Sequence, residues 1–228
     1  SVNQALTCDF NKIIFITNKN TEKSFIDIFG NSYKNIPVEY IEQKYDRTKR
    51  TRPWGTTGAI CSINGKINEP FILLNGDDIY GVDTFKEGYK LLVESNCNII
   101  GGCKIIDTMP EKGEVNRGVI SVKDNFVVGM KEILKISKEK NPELLDSLGN
   151  VNFLGFLPET LTHLNKILLK FQETHKDDPK IECLLTDDLN YLITNGDIVM
   201  KYFTIKNKIL GLTNPDDEEI LKKKLTQL

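Results

Sequence analysis

The amino-acid sequence predicts an α/β protein, a mostly parallel sheet flanked by helices with a small antiparallel β extension. Three observations carry this expectation. Short apolar or β-branched runs alternate with segments of helical periodicity from the start of the chain to about residue 106, the rhythm of βαβ units. The run FILLN (71–75) is continuously apolar, as in a strand covered on both faces. From residue 107 the character changes, and two strand-like stretches follow one another without an intervening helix.

In chain order, KIIFIT (12–17) reads as the first strand, ended by the polar break Asn18–Asn20. TEKSFIDIFG (21–30) spaces Phe25, Ile28 and Phe29 on one helical face, with Gly30 as a stop. PVEYIEQ (37–43) alternates apolar and polar residues, a half-exposed strand. VDTFKEGYKLLVES (82–95) reads as a helix and CNIIGGCKII (97–106) as a buried strand, where close packing accounts for Gly101–Gly102. EVNRGVISV and NFVVGMKEI form the antiparallel ribbon, joined through Lys123 and Asp124. VNFLGFLPETLTHLNKILLKF (151–171) is a strand running into a helix with Pro158 near its start. LLTDDLNYLITNG (184–196) reads as a helix stopped by Gly196, and IVMKYFTI (198–205) as a strand. NPDDEEILKKKL (214–225) reads as a closing amphipathic helix with a solvated face, its acids in the first turn and lysines in the last, matching the helix dipole. No repeat or clear linker interrupts the chain, so residues 1–228 read as a single domain.

A net charge of -2, with 39% hydrophobic and 27% charged residues, is ordinary for a soluble globular protein. The balanced charge argues against nucleic acid as the main partner. No apolar run approaches the roughly 18 residues of a membrane span, and no secretory leader is read. Cys8, Cys61, Cys97, Cys103 and Cys183 are scattered without a CxxC pair, which argues against a zinc ribbon or redox dithiol and for a reduced, cytoplasmic compartment. His163 and His175 lie in a helical stretch with no acid or cysteine at ligand spacing and read as surface or packing residues.

Two stretches carry candidate chemistry. EPFILLNGDDIYG (69–81) ends an apolar run on Asp77 and Asp78, at the carboxyl end of a strand where open α/β sheets bind ligands. Carboxylates there can hold Mg²⁺; a turn-capping aspartate beside a solvated one is the competing reading, and the residues alone leave both open. In RTRPWGTTGAI (50–60), Pro53 fixes the backbone, Gly55 removes a side chain and Thr56 is a candidate N-cap for a helix over TGAICSI. Such a loop offers backbone N–H groups to an anionic ligand, although it matches neither GxxxxGK[ST] nor GxGxxG. Trp54 either covers a base or packs.

In that order, PWGTTGAI and FILLNGDDIYG resemble the sugar nucleotidyltransferases, which make an NDP-sugar from an NTP and a sugar 1-phosphate. The similarity continues through RGVISV, GMKEI, NVNFLGFLPE, ECLLTDDLN and GLTNPDDEEILKKKL, nearly the whole chain, and is nearest to a branch with an RT-x-PWGT stretch. The resemblance implies a Rossmann-like fold of the nucleotide-diphospho-sugar transferase type. It implies in-line attack of a sugar phosphate oxygen on the α-phosphorus, with pyrophosphate leaving and Mg²⁺ spanning phosphate oxygens. Carried over by position, Pro53, Trp54, Gly55, Thr56 and Gly58 belong to the nucleotide-binding loop. Asp77 is the catalytic, metal-binding aspartate, with Asp78 beside it. Gly118 lies where backbone approaches the sugar, Glu132 accepts sugar hydroxyls, and Asn152 begins the next sugar-side strand. Glu182, Thr186 and Asp187 match an E-x-x-x-T-D pattern with a mainly structural role. The implied partners are an NTP and a sugar 1-phosphate, with no nucleic acid and no membrane; oligomeric state is left open, a homo-oligomer included.

The family pattern also has a first strand, a G-x-G-[ST]-R loop and a downstream Pro-Lys, none of which appears ahead of KIIFIT. That strand would neighbour both KIIFIT and FILLN, so both are expected to present open backbone edges, and a longer gene product or a second chain is expected to fill the gap. The family's second acid, in a W-x-D-x-G setting, has no counterpart in ILGLTN (209–214), where the next acid is Asp216. Ile133 replaces the lysine that often follows the sugar-side glutamate, with Lys135 two residues on. These departures support the alternative of a non-catalytic, regulatory protein that binds a nucleotide or NDP-sugar. Behind it stands a glycosyltransferase of related fold.

Overall fold

The computed structural model describes residues 1–110 and 113–211; the expected helix over 214–225, with Asp216, lies outside the described residues. The elements are α1 (Val2–Ala5), β1 (Ile13–Thr17), α2 (Glu22–Phe29), β2 (Ser32–Tyr33), β3 (Ile36–Glu42), α3 (Gly55–Cys61), β4 (Phe71–Leu73), β5 (Asp78–Ile79), α4 (Val82–Ser95), β6 (Asn98–Lys104), β7 (Val115–Lys123), β8 (Phe126–Ile136), β9 (Leu148–Phe156), α5 (Pro158–Thr174), α6 (Leu185–Thr194), β10 (Met200–Thr204) and β11 (Leu210–Gly211). They form two units. One comprises Ser1–Cys8, Ile72–Phe156 and the described residues from Val199 onward; the other comprises Asp9–Phe71 and Leu157–Ile198. No described helix is long and apolar enough to cross a membrane.

The first unit is built on a sheet of strand order β4-β9-β6-β10-β8-β7, in which β7 also returns to pair with β9. The contacts Val119 with Gly149 and Ile120 with Leu148 close β9, β6, β10, β8 and β7 into a barrel-like ring. The expected mostly parallel sheet is therefore replaced by a mixed one. β6 and β10 run parallel, whereas β6–β9, β7–β8, β7–β9 and β10–β8 are antiparallel. The physical reason lies in the ribbon: Asp124 and Asn125 take φ of 51° and 65°, the left-handed pair that a two-residue hairpin turn requires. β7 and β8 consequently fold back on each other and join the main sheet rather than extending from it.

Every residue of β6 up to Cys103 is buried, as its apolar sequence predicts. Phe153 on β9 sits at the centre of an aromatic cluster, with ring centroids 5.4 Å from Tyr80, 5.4 Å from Phe85 and 5.6 Å from Phe203. Tyr80, Phe85 and Phe153 have no exposed surface. Gly88 on α4 makes room for this cluster, since a Cβ there would lie 2.5 Å from Phe153 Cε1.

In the second unit, β1 pairs in parallel with β3, and β2 antiparallel with β3. Phe25 and Phe29 of α2 cover Phe15 of β1 at 4.8 and 4.7 Å. Ile28, expected on that same face, is 68% exposed. The sheet has three strands among the described residues, and the Phe25–Phe29 pair at i and i+4 spans the strip that α2 lays on it. Helices α3, α5 and α6 pack together around Ile60, Leu161, Leu164, Leu189 and Leu192, all nearly or fully buried. Pro158 opens α5 at its first position. β1 lies at the edge of its three-stranded sheet and β4 at the edge of the six-stranded one. Among the described residues each of these two strands is therefore paired on one side only.

Candidate functional site

The candidates fall into two groups, one in each unit. In the first unit, β4 is followed by a turn at Gly76–Asp77 and then by β5, which begins at Asp78. The Asp77 side chain is exposed, and among the described residues no hydrogen bond or ion pair holds it. Asp78 is half-buried. Its Oδ2 accepts from Asn75 Nδ2 at 3.1 Å and lies 3.3 Å from the Tyr80 hydroxyl. Burial, before all else, pushes the Asp78 carboxyl above the usual carboxylate range, and the charge of Asp77 adds to the rise; the hydrogen bonds from Asn75 and Tyr80 and the charge of Arg117 oppose it.

That imbalance has a sign. An acid whose carboxyl is raised in the folded state favours folding while protonated, and this contribution is lost as pH rises through the folded value. Asp78→Asn is therefore expected to be more stable than the wild type near neutral pH. The advantage shrinks as pH falls and the wild-type carboxyl takes up its proton. Thermal unfolding of both proteins across pH 4 to 8 measures it, and an advantage that grows toward acid would contradict the assignment.

A divalent cation would offset the same imbalance. Mg²⁺ commonly takes one or two carboxylates, filling its remaining positions with water and substrate phosphates. An exposed carboxylate beside a half-buried one fits that donor set. Among the described residues no group of three or more His, Cys, Asp or Glu side chains could hold a metal without such outside ligands.

Three further candidates lie in the same unit. Gly118 on β7 and Glu132 on β8 are direct cross-strand partners, so two positions fourteen apart in sequence meet in space. Gly118 is buried and Glu132 half-buried. Asn152 sits mid-strand on β9 with φ 59°, where the pairing with β6 slips between Gly101 and Gly102. A non-glycine residue in this conformation inside a strand is uncommon, and bulges often re-aim a side chain. Asn150 supports it, since its Oδ1 accepts the Asn152 N–H at 2.8 Å and its Nδ2 reaches Asn152 Oδ1 at 3.3 Å. The slip allows the close approach at Gly102, where a Cβ would meet Gly149 O at 2.7 Å. Lys135 is exposed and also adopts positive φ, 57°, at an irregularity of β8.

In the second unit, the loop from Arg50 to Gly58 is tightly engaged by its own surroundings. Trp54 O accepts the Cys183 N–H at 3.0 Å, and the Thr57 N–H donates to Cys183 O at 3.2 Å. Gly55 has φ 81°, and a Cβ there would lie 2.5 Å from Cys183 O; close backbone approach explains the glycine. Gly55→Ala is expected to cost about 2 kcal/mol from strain and clash together, read as a lower urea midpoint. Gly58 is similarly confined by Trp54 Cβ at 2.8 Å and Gln43 Nε2 at 3.2 Å.

Thr56, expected as the N-cap of α3, lies inside the helix, and Trp54 holds the cap position. The Thr56 hydroxyl instead accepts the Leu185 N–H at 2.9 Å, serving the first turn of α6. Thr57 is fully buried and donates to Asp188 Oδ2 at 2.5 Å. Of the two acids that open α6, Asp188 thus ties it to α3. Thr186 is buried; Asp187 is exposed as a residue, and the partial covering of its carboxyl, then the charge of Asp188, push that carboxyl upward. Glu182 pairs with Arg52 at 2.9 Å.

Trp54 packs. The Arg50 guanidinium lies 3.3 Å from its ring centroid, and Phe171 meets it edge-on at 6.3 Å. Trp54 and Gly58 also line a cleft of about 540 Å³ with Gln43, Lys66, Asn165 and Gln172. Sequence reasoning passed over Tyr80, Arg50 and Gln43, the residues that hold these candidates in place. A phenol two positions beyond an acid pair was the available signal for Tyr80. Arg50 carried none, because the two shortest of its hydrogen bonds reach backbone carbonyls more than 120 residues away.

The fold is similar to that of several solved proteins. A provisionally assigned glucose-1-phosphate thymidylyltransferase from Bacillus anthracis superposes with a TM-score of 0.70 at 13% identity, covering 100% of this chain and 81% of that one. A UDP-glucose pyrophosphorylase solved with UDP-glucose gives 0.66 at 18% identity, covering 99% and 84%. HddC from Yersinia pseudotuberculosis gives 0.59 at 19% identity, covering 98% and 83%. At these identities the likeness establishes a shared mixed α/β fold. No protein-family model matches the sequence, and no curated protein does.

Proposed function

We propose that this chain is a Mg²⁺-dependent sugar-phosphate nucleotidyltransferase, which forms an NDP-sugar and pyrophosphate from an NTP and a sugar 1-phosphate. The observation that carries the reading is the turn after β4, which leaves the Asp77 carboxylate in solvent beside a half-buried Asp78, in a fold whose solved relatives include a pyrophosphorylase holding UDP-glucose. HddC, of the same fold, was solved with GMP-PN.

In this reading a phosphate oxygen of the sugar 1-phosphate attacks the α-phosphorus of the NTP. The bond from that phosphorus to the β-phosphate bridging oxygen breaks, and pyrophosphate leaves. Asp77 and Asp78 would hold Mg²⁺, which when bound neutralises phosphate charge. Glu132 accepts hydrogen bonds from sugar hydroxyls, with the buried Gly118 opposite it admitting the sugar close to the backbone. Asn152, turned by the bulge, presents its amide on the sugar side. The loop Pro53–Gly58, including Trp54, Gly55 and Thr56, contacts the base; its existing hydrogen bonds would keep it from having to order on binding. Such a reaction depends mainly on positioning and charge neutralisation.

The test is pyrophosphate release by the full chain with Mg²⁺ over a panel of NTPs and sugar 1-phosphates. Turnover by one pair supports the proposal. Thermal stabilisation by an NDP-sugar without pyrophosphate release from any pair would replace it with the non-catalytic, nucleotide-sugar-binding reading.

A further inference from the structure

We propose that Tyr80 is a positioning residue whose hydroxyl ties the Asp77–Asp78 turn to the Asn152 bulge, setting the distance between the metal and sugar ends of the site. The inference rests on the nucleotidyltransferase reading above. Tyr80 has no exposed surface, and its phenol has one proton to give. Three acceptors surround it: Val151 O at 2.9 Å, Asn152 O at 3.3 Å and Asp78 Oδ2 at 3.3 Å.

Two of the acceptors are carbonyls at the bulge where the β9–β6 pairing slips. They are groups that a regular ladder would otherwise engage and that burial makes costly to leave unpaired. The third is the acid of the turn. A single hydroxyl thus touches both the strand that carries Asn152 and the carboxylate beside Asp77. Its ring is fixed edge-to-face against Phe85 and Phe153, with centroids at 6.3 and 5.4 Å, so the hydroxyl has little freedom to drift. A hydrogen bond from the Gly81 N–H to Gln4 Oε1, 3.2 Å long, and one from Thr84 Oγ1 to Tyr80 O, 2.7 Å long, anchor the backbone around Tyr80. Residues that orient metal-binding carboxylates in this way tune the site without touching the ion.

Tyr80→Phe keeps the ring and its packing and removes the hydroxyl alone. Tyr202→Phe is the matched control: it removes another phenol-to-backbone hydrogen bond from the same sheet, to Gly102 O at 3.1 Å, without touching Asp78. Mn²⁺ affinity is read by electron paramagnetic resonance in the presence of a non-hydrolysable NTP analogue, and kcat and KM by pyrophosphate release. Tyr80→Phe is expected to weaken Mn²⁺ binding about tenfold and to raise KM for the sugar 1-phosphate while KM for the NTP stays within about twofold. Tyr202→Phe is expected to stay within about twofold on every measure. Folded Tyr80→Phe with wild-type Mn²⁺ affinity and sugar KM would overturn the inference, and so would a Tyr202→Phe protein impaired to the same degree. Wild-type protein that neither binds Mn²⁺ nor releases pyrophosphate would overturn the underlying reading and the inference with it, an outcome separable from the others because it appears before any substitution is made.

Discussion

Replacing Asp77 with asparagine is expected to reduce pyrophosphate release about 1000-fold while leaving the stability of the protein within about 0.5 kcal/mol of wild type. The two halves of this expectation come from the same observation. The Asp77 side chain is exposed and makes no hydrogen bond or ion pair with described residues, so the folded state gains little from its charge. Its value in the proposed reaction is as a ligand that brings a divalent ion to the phosphates, and Lewis-acid stabilisation of that kind contributes several kcal/mol to a phosphoryl-type transition state; a loss of about 4 kcal/mol corresponds to the rate change stated. Asp78 is the informative contrast. Its Oδ2 already has protein partners in Asn75 and Tyr80, so Asp78→Asn is expected to alter stability and pH dependence as well as turnover. Kinetics and urea unfolding on both single variants separate the two roles. Wild-type turnover by Asp77→Asn would remove this residue from the proposed chemistry.

The second large effect is structural. Arg50→Ala is expected to destabilise the protein by about 4 kcal/mol, and Arg50→Lys by about half as much. Arg50 is 4% exposed, and its guanidinium donates to backbone carbonyls only. Nε reaches Arg52 O at 3.2 Å, one terminal nitrogen reaches Asp178 O at 2.7 Å, and the other reaches Ile181 O. Alanine would remove three hydrogen bonds that a buried guanidinium gives to carbonyls of exposed or half-buried residues and leave a void beneath the Trp54 ring; hydrogen bonds to charged groups contribute about 1.5–3 kcal/mol each, toward the low end where water can reach the acceptor. Lysine keeps the charge but cannot serve three directions with a planar fork. Because Trp54 is the only tryptophan in the chain, its fluorescence reports on this contact. Emission should shift to the red in Arg50→Ala as water replaces the guanidinium, and the urea midpoint should fall. An unchanged midpoint would mean that the segment 178–181 holds the loop without Arg50.

Much of the secondary structure was legible because its causes are local. The helix over Val82–Ser95 falls where its apolar periodicity predicts, and its end coincides with Asn96 in the left-handed conformation (φ 45°, ψ 47°), a known helix-ending geometry. Pro158 at the first position of α5 and Gly196 with φ 76° just past α6 act as the sequence suggests. The hairpin was also legible, displaced by one residue. Asp124 and Asn125 make the turn, rather than Lys123 and Asp124, because Lys123 still pairs with Phe126.

The sheet was misread because strand direction is not a local property. FILLN and CNIIGGCKII have the composition of parallel strands, yet β6 accepts antiparallel β9 on one edge and parallel β10 on the other. Thr56 shows the same limit at smaller scale. A threonine after a glycine in a loop has the local chemistry of a cap, but the N–H that it satisfies is that of Leu185, 129 residues away.

The sequence by itself determined where this chain turns, which segments are helical, and that two acids follow an apolar strand, since each depends on residues a few positions apart. Only the tertiary structure decided that β7 would return to β9 and close the ring, and that Gly118 would face Glu132. It also decided that one buried phenol would stand between Asp78 and the Asn152 bulge. These outcomes depend on hydrogen bonds and packing between segments far apart in the chain, and a backbone carbonyl looks the same in every residue until the fold selects which donor it meets.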